Sequence, residues 1–169
     1  ILSCVTTSGN LADMADCDLI VEAILEISEV KTNIYQQMDV ICKPETVIAS
    51  TTSSLSITKL AGAVCPERAF IGTHFNAPAS EMKLVEVVPG LQTQEQTVTA
   101  VLELLRAVGK EPVRVKDVVG FALNRIFHAF YLEACRLVEE GVCSVEDVDK
   151  ICLYGLGHPM GVFRLIDQT

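Results

Sequence analysis

Short apolar runs rich in β-branched residues alternate with helix-period stripes along most of this chain, and the alternation stops near Asp117. Asp18–Ile24, Thr46–Ser50, Ala69–Thr73, Lys83–Val88 and Pro112–Lys116 are bounded by Pro, Gly, Asp or Ser and read as strands. Between them, Ile57, Leu60, Ala61 and Val64 fall at i, i+3, i+4 and i+7, as do Val98, Val101, Leu102 and Leu105. Val30, Ile34, Met38 and Ile41 make a third stripe. Such alternation implies βαβ units and a largely parallel sheet. From Gly120 onward the strands cease. Phe121–Val138 reads as a long apolar helix closed by Gly141, and Ser144 as the cap of a second helix. Val145, Val148, Ile151 and Cys152 share a face of that second helix, which Gly155 or Gly157 ends. The expected organisation is an α/β part over 1–117 and the beginning of an all-α part over 118–169.

Composition narrows the function classes. With 22 acidic against 13 basic residues the formal net charge is −9, which argues against a nucleic-acid partner. Gly120–Leu132, the most apolar stretch, is interrupted by Asn124, Arg125 and His128 and is shorter than the ~20 residues that cross a bilayer. Ile1–Cys4 lacks the basic region that opens a signal peptide. The seven cysteines are at least eight positions apart, so no metal-ligand spacing exists, and they read as free buried thiols in a reducing compartment. No GxGxxG follows a strand. Gly155-Leu-Gly157-His-Pro-Met-Gly161 has another spacing and reads as a helix–turn–helix connection. A chain that opens within an α/β pattern and closes inside a helix is expected to be a piece cut at both ends.

In open α/β sheets ligands bind beyond the carboxyl ends of the strands, which gives weight to the polar residues there. Glu22 stands near the end of the first strand, Thr51-Thr52-Ser53-Ser54 follows the second, and His74 follows the third. Ser53 and Ser54 have a plain alternative role as caps of the 57–64 helix. Of three histidines only His74 is at a strand end, where an imidazole titrating near neutrality can take and return a proton. His128 borders the solvated stripe of Arg125, Glu133 and Arg136, and His158 lies in a turn. Glu86 interrupts the apolar run Leu84–Val88. A buried carboxylate there needs a partner, and an imidazole whose tautomer it fixes is the natural one; the alternative is an edge strand with Glu86 in water. Asn124 lies about 100° around its helix from Arg125, off the solvated stripe.

Ser53-Ser54-Leu55, Gly72-Thr73-His74-Phe75, Met82–Val87, Gly120–Arg125 and Gly157–Gly161 occur in order, and together they resemble the L-3-hydroxyacyl-CoA dehydrogenase family over nearly the whole chain. The resemblance implies the second half of a Rossmann-like dinucleotide-binding domain, followed by the start of an all-α C-terminal domain that helps bind substrate and forms a homodimer. It implies NAD-dependent oxidation of a 3-hydroxyacyl-CoA to the 3-oxoacyl-CoA, with acyl-CoA as substrate partner. His74 is then the base, Glu86 its carboxylate partner, and Ser53 and Asn124 the groups on the reacting oxygen. Glu22 and Ser53 are cofactor contacts, and no metal is implied. The setting is cytoplasmic, or the mitochondrial matrix or peroxisome in a eukaryote. Two positions depart from the family pattern. His74-Phe75-Asn76-Ala77-Pro78 stands where His-Phe-Phe-Asn-Pro is usual, and Thr51 stands where asparagine is general. The glycine-rich loop lies outside these residues, so the 169 residues alone are expected to lack dehydrogenase activity and to expose an aggregation-prone sheet edge. Two alternatives stay open: a related dehydrogenase of free hydroxy acids such as sugar acids, and a non-catalytic binding or oligomerisation module on the same fold.

Overall fold

The structure, a computed structural model, describes residues 2–168. Ile1 and Thr169, the outer limits of the two expected parts, lie outside the described residues. Two compact units divide between Phe121 and Ala122.

In the first unit, five strands form one sheet in the order of the chain: β1 (Leu19–Glu22), β2 (Val47–Ser50), β3 (Phe70–Phe75), β4 (Leu84–Pro89) and β5 (Glu111–Arg114). The pairings β1–β2, β2–β3 and β4–β5 are parallel, but β3–β4 is antiparallel. The reversal qualifies the largely parallel sheet expected from the sequence. Its cause is the short connection 76–83, which holds no helix; a parallel return needs a crossover of a dozen or more residues. Side chains alternate across the sheet. Ile20, Ile48, Phe70 and Val88 face α1 (Ser28–Ile41) and α2 (Ile57–Ala61), while Ala49, Ile71, Val85 and Val87 face α3 (Glu95–Ala107).

Two details of the helices differ from the sequence reading. The core face of α1 holds Ile34, Met38 and Ile41 of the expected stripe together with the buried Lys31 and Tyr35, whereas Val30 is exposed. The cap of α2 is Ser56, whose hydroxyl accepts from the Lys59 amide, rather than Ser53 or Ser54. The Ile57 side chain of α2 packs directly over the β3 backbone at Gly72, where a Cβ would stand 2.6 Å from Ile57 Cδ1.

The second unit contains α4 (Leu123–Glu139), α5 (Val145–Lys150), a π-turn over Ile151–Gly155 and α6 (Val162–Ile166), packed around Ala134, Val148, Cys152 and Val162. Ser144 caps α5 by accepting from the Asp147 amide, and Gly141 closes α4 at φ 70°. Val145 and Ile151, expected on the buried face of α5, are exposed. The helix α4 begins two residues later than Phe121 because Gly120 (φ 73°) and Phe121 (φ 46°) are both left-handed. Of the seven cysteines, Cys42 and Cys152 are buried, whereas Cys4 and Cys65 are exposed, so the expectation of uniformly buried thiols holds for only part of the set.

Candidate active site

The antiparallel step between β3 and β4 puts His74 directly opposite Glu86. Residues facing each other across such a pair have their Cβ atoms ~5 Å apart, within reach of an ionic contact. His74 Nδ1 lies 2.8 Å from Glu86 Oε2, and the two side chains are 8% and 2% exposed. Glu86 is therefore a buried partner of the imidazole and not a solvent-facing residue on an edge strand. A carboxylate at Nδ1 favours the tautomer with its proton there, and Nε2 is left as the nitrogen for proton exchange. His74 is the penultimate residue of β3, at the carboxyl end where β1 and β2 also finish. The ring of Phe121 packs against it, with centroids 5.6 Å apart.

The loop after β2 is tied to the loop after β1 by a residue that sequence reasoning passed over. Glu26 Oε1 accepts from the backbone amides of Ser53 (2.8 Å) and Ser54 (3.2 Å), from the Ser54 hydroxyl (3.2 Å) and from the Thr52 hydroxyl. Partial burial alone would push the Glu26 carboxyl up, but the Thr52 hydroxyl and the two amides outweigh it and hold the group below the ordinary carboxylate range. Ser53 is exposed on this loop. Since the carboxylate form is the one that holds the amides, this link is present above the usual Glu range and is lost as pH falls through the lowered value. We expect the amide proton shifts of Ser53 and Ser54 to titrate together with a midpoint below about 4.3, the ordinary Glu value. A midpoint at or above that value would contradict the geometry.

Glu22, expected at the cofactor, is enclosed instead. Its side chain is 0% exposed, and it accepts from Lys31 Nζ (2.7 Å), the Ile24 amide (2.7 Å), the Ser50 hydroxyl (3.1 Å) and the Tyr35 hydroxyl. Burial first, and then the hydrogen bond to Glu22, push the Tyr35 phenol far above its usual range, which keeps it a donor. Lys31 Nζ also reaches Glu26 Oε2 at 3.4 Å. A chain of contacts thus runs from Tyr35 through Glu22 and Lys31 to Glu26 and the Ser53 loop. The sequence signal that could have found it is a lysine on the core face of α1. Burial of a charge there requires a counter-charge, and Glu22 and Glu26 lie just upstream.

The remaining expected site residues fall as follows. Asn124 is half-buried on the first turn of α4, in the second unit. Ala77 is exposed and precedes the cis-bonded Pro78, and the Thr51 amide donates to the Glu22 carbonyl. His128 is exposed, with Nδ1 2.6 Å from the Asn124 carbonyl oxygen. Among the described residues no group of three or more His, Cys, Asp or Glu could hold a metal ion, and no helix is long and apolar enough to cross a membrane.

Comparison with known proteins gives a consistent picture. The family model described as 3-hydroxyacyl-CoA dehydrogenase, NAD binding domain, matches residues 1–118, and the one described as 3-hydroxyacyl-CoA dehydrogenase, C-terminal domain, matches residues 120–169. The chain is 44% identical over 158 residues to a probable 3-hydroxybutyryl-CoA dehydrogenase of Deinococcus radiodurans, covering 94% of this chain and 57% of the relative. It is 41% identical over 169 residues to the mitochondrial hydroxyacyl-coenzyme A dehydrogenase of Mus musculus, covering 99% of this chain and 54% of the relative. Among solved structures, FadB2 of M. tuberculosis superposes with a TM-score of 0.91 at 39% identity, covering 97% of this chain and 58% of the other. The (S)-3-hydroxybutyryl-CoA dehydrogenase PaaH1 of Ralstonia eutropha gives 0.90 at 40% identity, covering 95% and 57%. The chain spans a little over half the length of these relatives.

Proposed function

The chain belongs to the 3-hydroxyacyl-CoA dehydrogenase family, and from that premise we propose that the protein oxidises an L-3-hydroxyacyl-CoA to the 3-oxoacyl-CoA with NAD. The observation that carries the reading is the buried His74–Glu86 pair at the carboxyl end of β3. Nε2 of His74 takes the proton of the 3-hydroxyl, and the electron pair of the C3–H bond leaves as hydride. The carboxylate of Glu86 steadies the imidazolium that results. NAD, when bound, supplies the hydride acceptor and leaves as NADH.

The donor set suits that cofactor. Glu26 keeps a partly exposed carboxylate, 38% accessible, that can accept from ribose hydroxyls, and the exposed Ser53 stands on the loop it fixes. We assign Glu26 and Ser53 to the cofactor side. Glu22 acts on it only indirectly, by holding Lys31 against Glu26. Ser53 and Asn124 are assigned to the reacting oxygen on sequence likeness, since donors at that oxygen polarise the developing carbonyl.

The relatives' names support an acyl-CoA substrate and include mitochondrial and bacterial enzymes. We further propose a homodimer through the second unit, supported by the exposed Ile126, Leu132, Ile151 and Tyr154; a monomer mass by light scattering would remove that element. The setting that fits seven free thiols is a reducing compartment, the cytoplasm or, in a eukaryote, the mitochondrial matrix or peroxisome. The test of substrate class is NADH consumption by the natural protein with acetoacetyl-CoA beside free acetoacetate. Turnover restricted to the thioester is expected. Preference for the free acid would instead place the protein with the free hydroxy-acid dehydrogenases.

A further inference from the structure

Phe121 has a backbone that its side chain does not favour. Its φ is 46°, a region in which a bulky residue is an outlier and glycine is at ease. Gly120, just before it, is also left-handed at φ 73°. Yet position 121 keeps a benzyl group, which is 2% exposed and belongs to the core cluster that includes Ile57, Leu60 and Val88. The same ring packs on the imidazole of His74, with centroids 5.6 Å apart and planes inclined at 57°.

The turn that delivers this ring is tied down on its upstream side. The Phe121 amide donates to the Val118 carbonyl at 3.0 Å, and the Val118 amide to the Lys116 carbonyl at 2.9 Å. Asp117, within the turn, accepts from the Ile57 amide (3.0 Å), the Thr58 amide (2.8 Å) and the Ser56 hydroxyl (2.9 Å) at the start of α2. Partial burial opposes the charge of Asp117, but the Thr58 hydroxyl together with these donors outweighs it and holds its carboxyl below the usual range.

We propose that Phe121 is a positioning residue for His74: a turn anchored to α2 by Asp117 presses its ring against the imidazole and keeps Nδ1 on Glu86. The proposal rests on the assignment of His74 as the base. The contact to Glu86 fixes one edge of the imidazole but leaves the ring free to swing about that hydrogen bond. A flat side chain against the imidazole removes that freedom. The gain is in the aim of Nε2, because a misplacement of ~1 Å at a reacting group can cost about 100-fold in rate. A plain core-filling role would make no use of the contact to the imidazole, and it would not need a left-handed phenylalanine.

The test uses the natural protein and its Phe121→Leu, Phe121→Gly and Asp117→Asn variants. It follows reduction of acetoacetyl-CoA by NADH and the NMR signal of the His74 proton shared with Glu86. Phe121→Leu is expected to lower kcat by roughly 10- to 100-fold with both KM values nearly unchanged, and to broaden or shift that proton signal. Phe121→Gly relieves the backbone yet is expected to lose at least as much. Asp117→Asn, which keeps the ring but turns an amide donor toward the α2 amides, is expected to show a smaller loss of the same kind. Leu and Gly variants that melt earlier but keep full kcat and an unmoved proton signal would overturn the proposal. Should the Phe121 variants fail to fold, an Asp117→Asn protein with unchanged kcat and signal would overturn it equally. A wild-type protein without turnover would count against the proposed reaction instead, and the proton signal would still decide the positioning role.

Discussion

Lys31→Met is expected to destabilise the fold by about 3 kcal/mol, at the lower end of what removing one partner of a buried ion pair costs. Lys31 is 1% exposed, and the Glu22 carboxylate it faces at 2.7 Å is fully enclosed. Methionine fits the aliphatic stem but leaves Glu22 without its cation. The Tyr35 and Ser50 hydroxyls and the Ile24 amide still donate to that carboxylate, which is why the lower end applies. Adding Glu22→Gln should recover much of the loss, since exchanging both members of a buried pair for neutral groups is often close to neutral. Urea unfolding of the wild type, the single variant and the double variant makes the comparison. A single-variant loss under about 1 kcal/mol, the value of an exposed ion pair, would mean that the Glu22–Lys31 contact is solvated.

The strands were legible because burial on both faces leaves continuous apolar runs, and Val47–Ser50, Phe70–Phe75 and Leu84–Pro89 each overlap the run read from the sequence. The His74–Glu86 relation was legible for a related reason: a carboxylate inside such a run has to be answered by a partner. What composition and period did not convey was direction. The antiparallel turn of β4 depends on the length of 76–83, and that turn is what sets the two residues face to face. Periodicity found Ile34, Met38 and Ile41 on the inner face of α1 but not Lys31 and Tyr35, which are buried through their partners. Glu26 escaped notice because its partners, two backbone amides and the Thr52 and Ser54 hydroxyls, lie 26 to 28 positions away, a distance that no local pattern bridges. The late start of α4 was hidden in the same way. Phe121 suits a helix by type, and only its backbone shows the left-handed turn that brings its ring to His74.

The second large effect concerns the pair itself. Glu86→Gln keeps the shape and an oxygen that can face Nδ1 but removes the charge that steadies an imidazolium. If His74 takes the hydroxyl proton with Glu86 behind it, turnover should fall by roughly the 10²–10⁴ that acid–base assistance supplies. The loss should lie in kcat. Binding of NADH should change little, because the hydrogen bond between Glu26 and the Ser53 amide, the groups assigned to the cofactor, is kept in the variant. Gln is isosteric with Glu, so the fold should be retained, and a melting curve serves as the control. The decisive measurement is kcat for acetoacetyl-CoA reduction by the natural protein and its Glu86→Gln variant, both shown to be folded and to bind NADH. A loss of at least about 100-fold with cofactor binding intact is the predicted result; a variant that turns over near the wild-type rate would contradict the assignment of His74 and Glu86 as the proton-transfer pair.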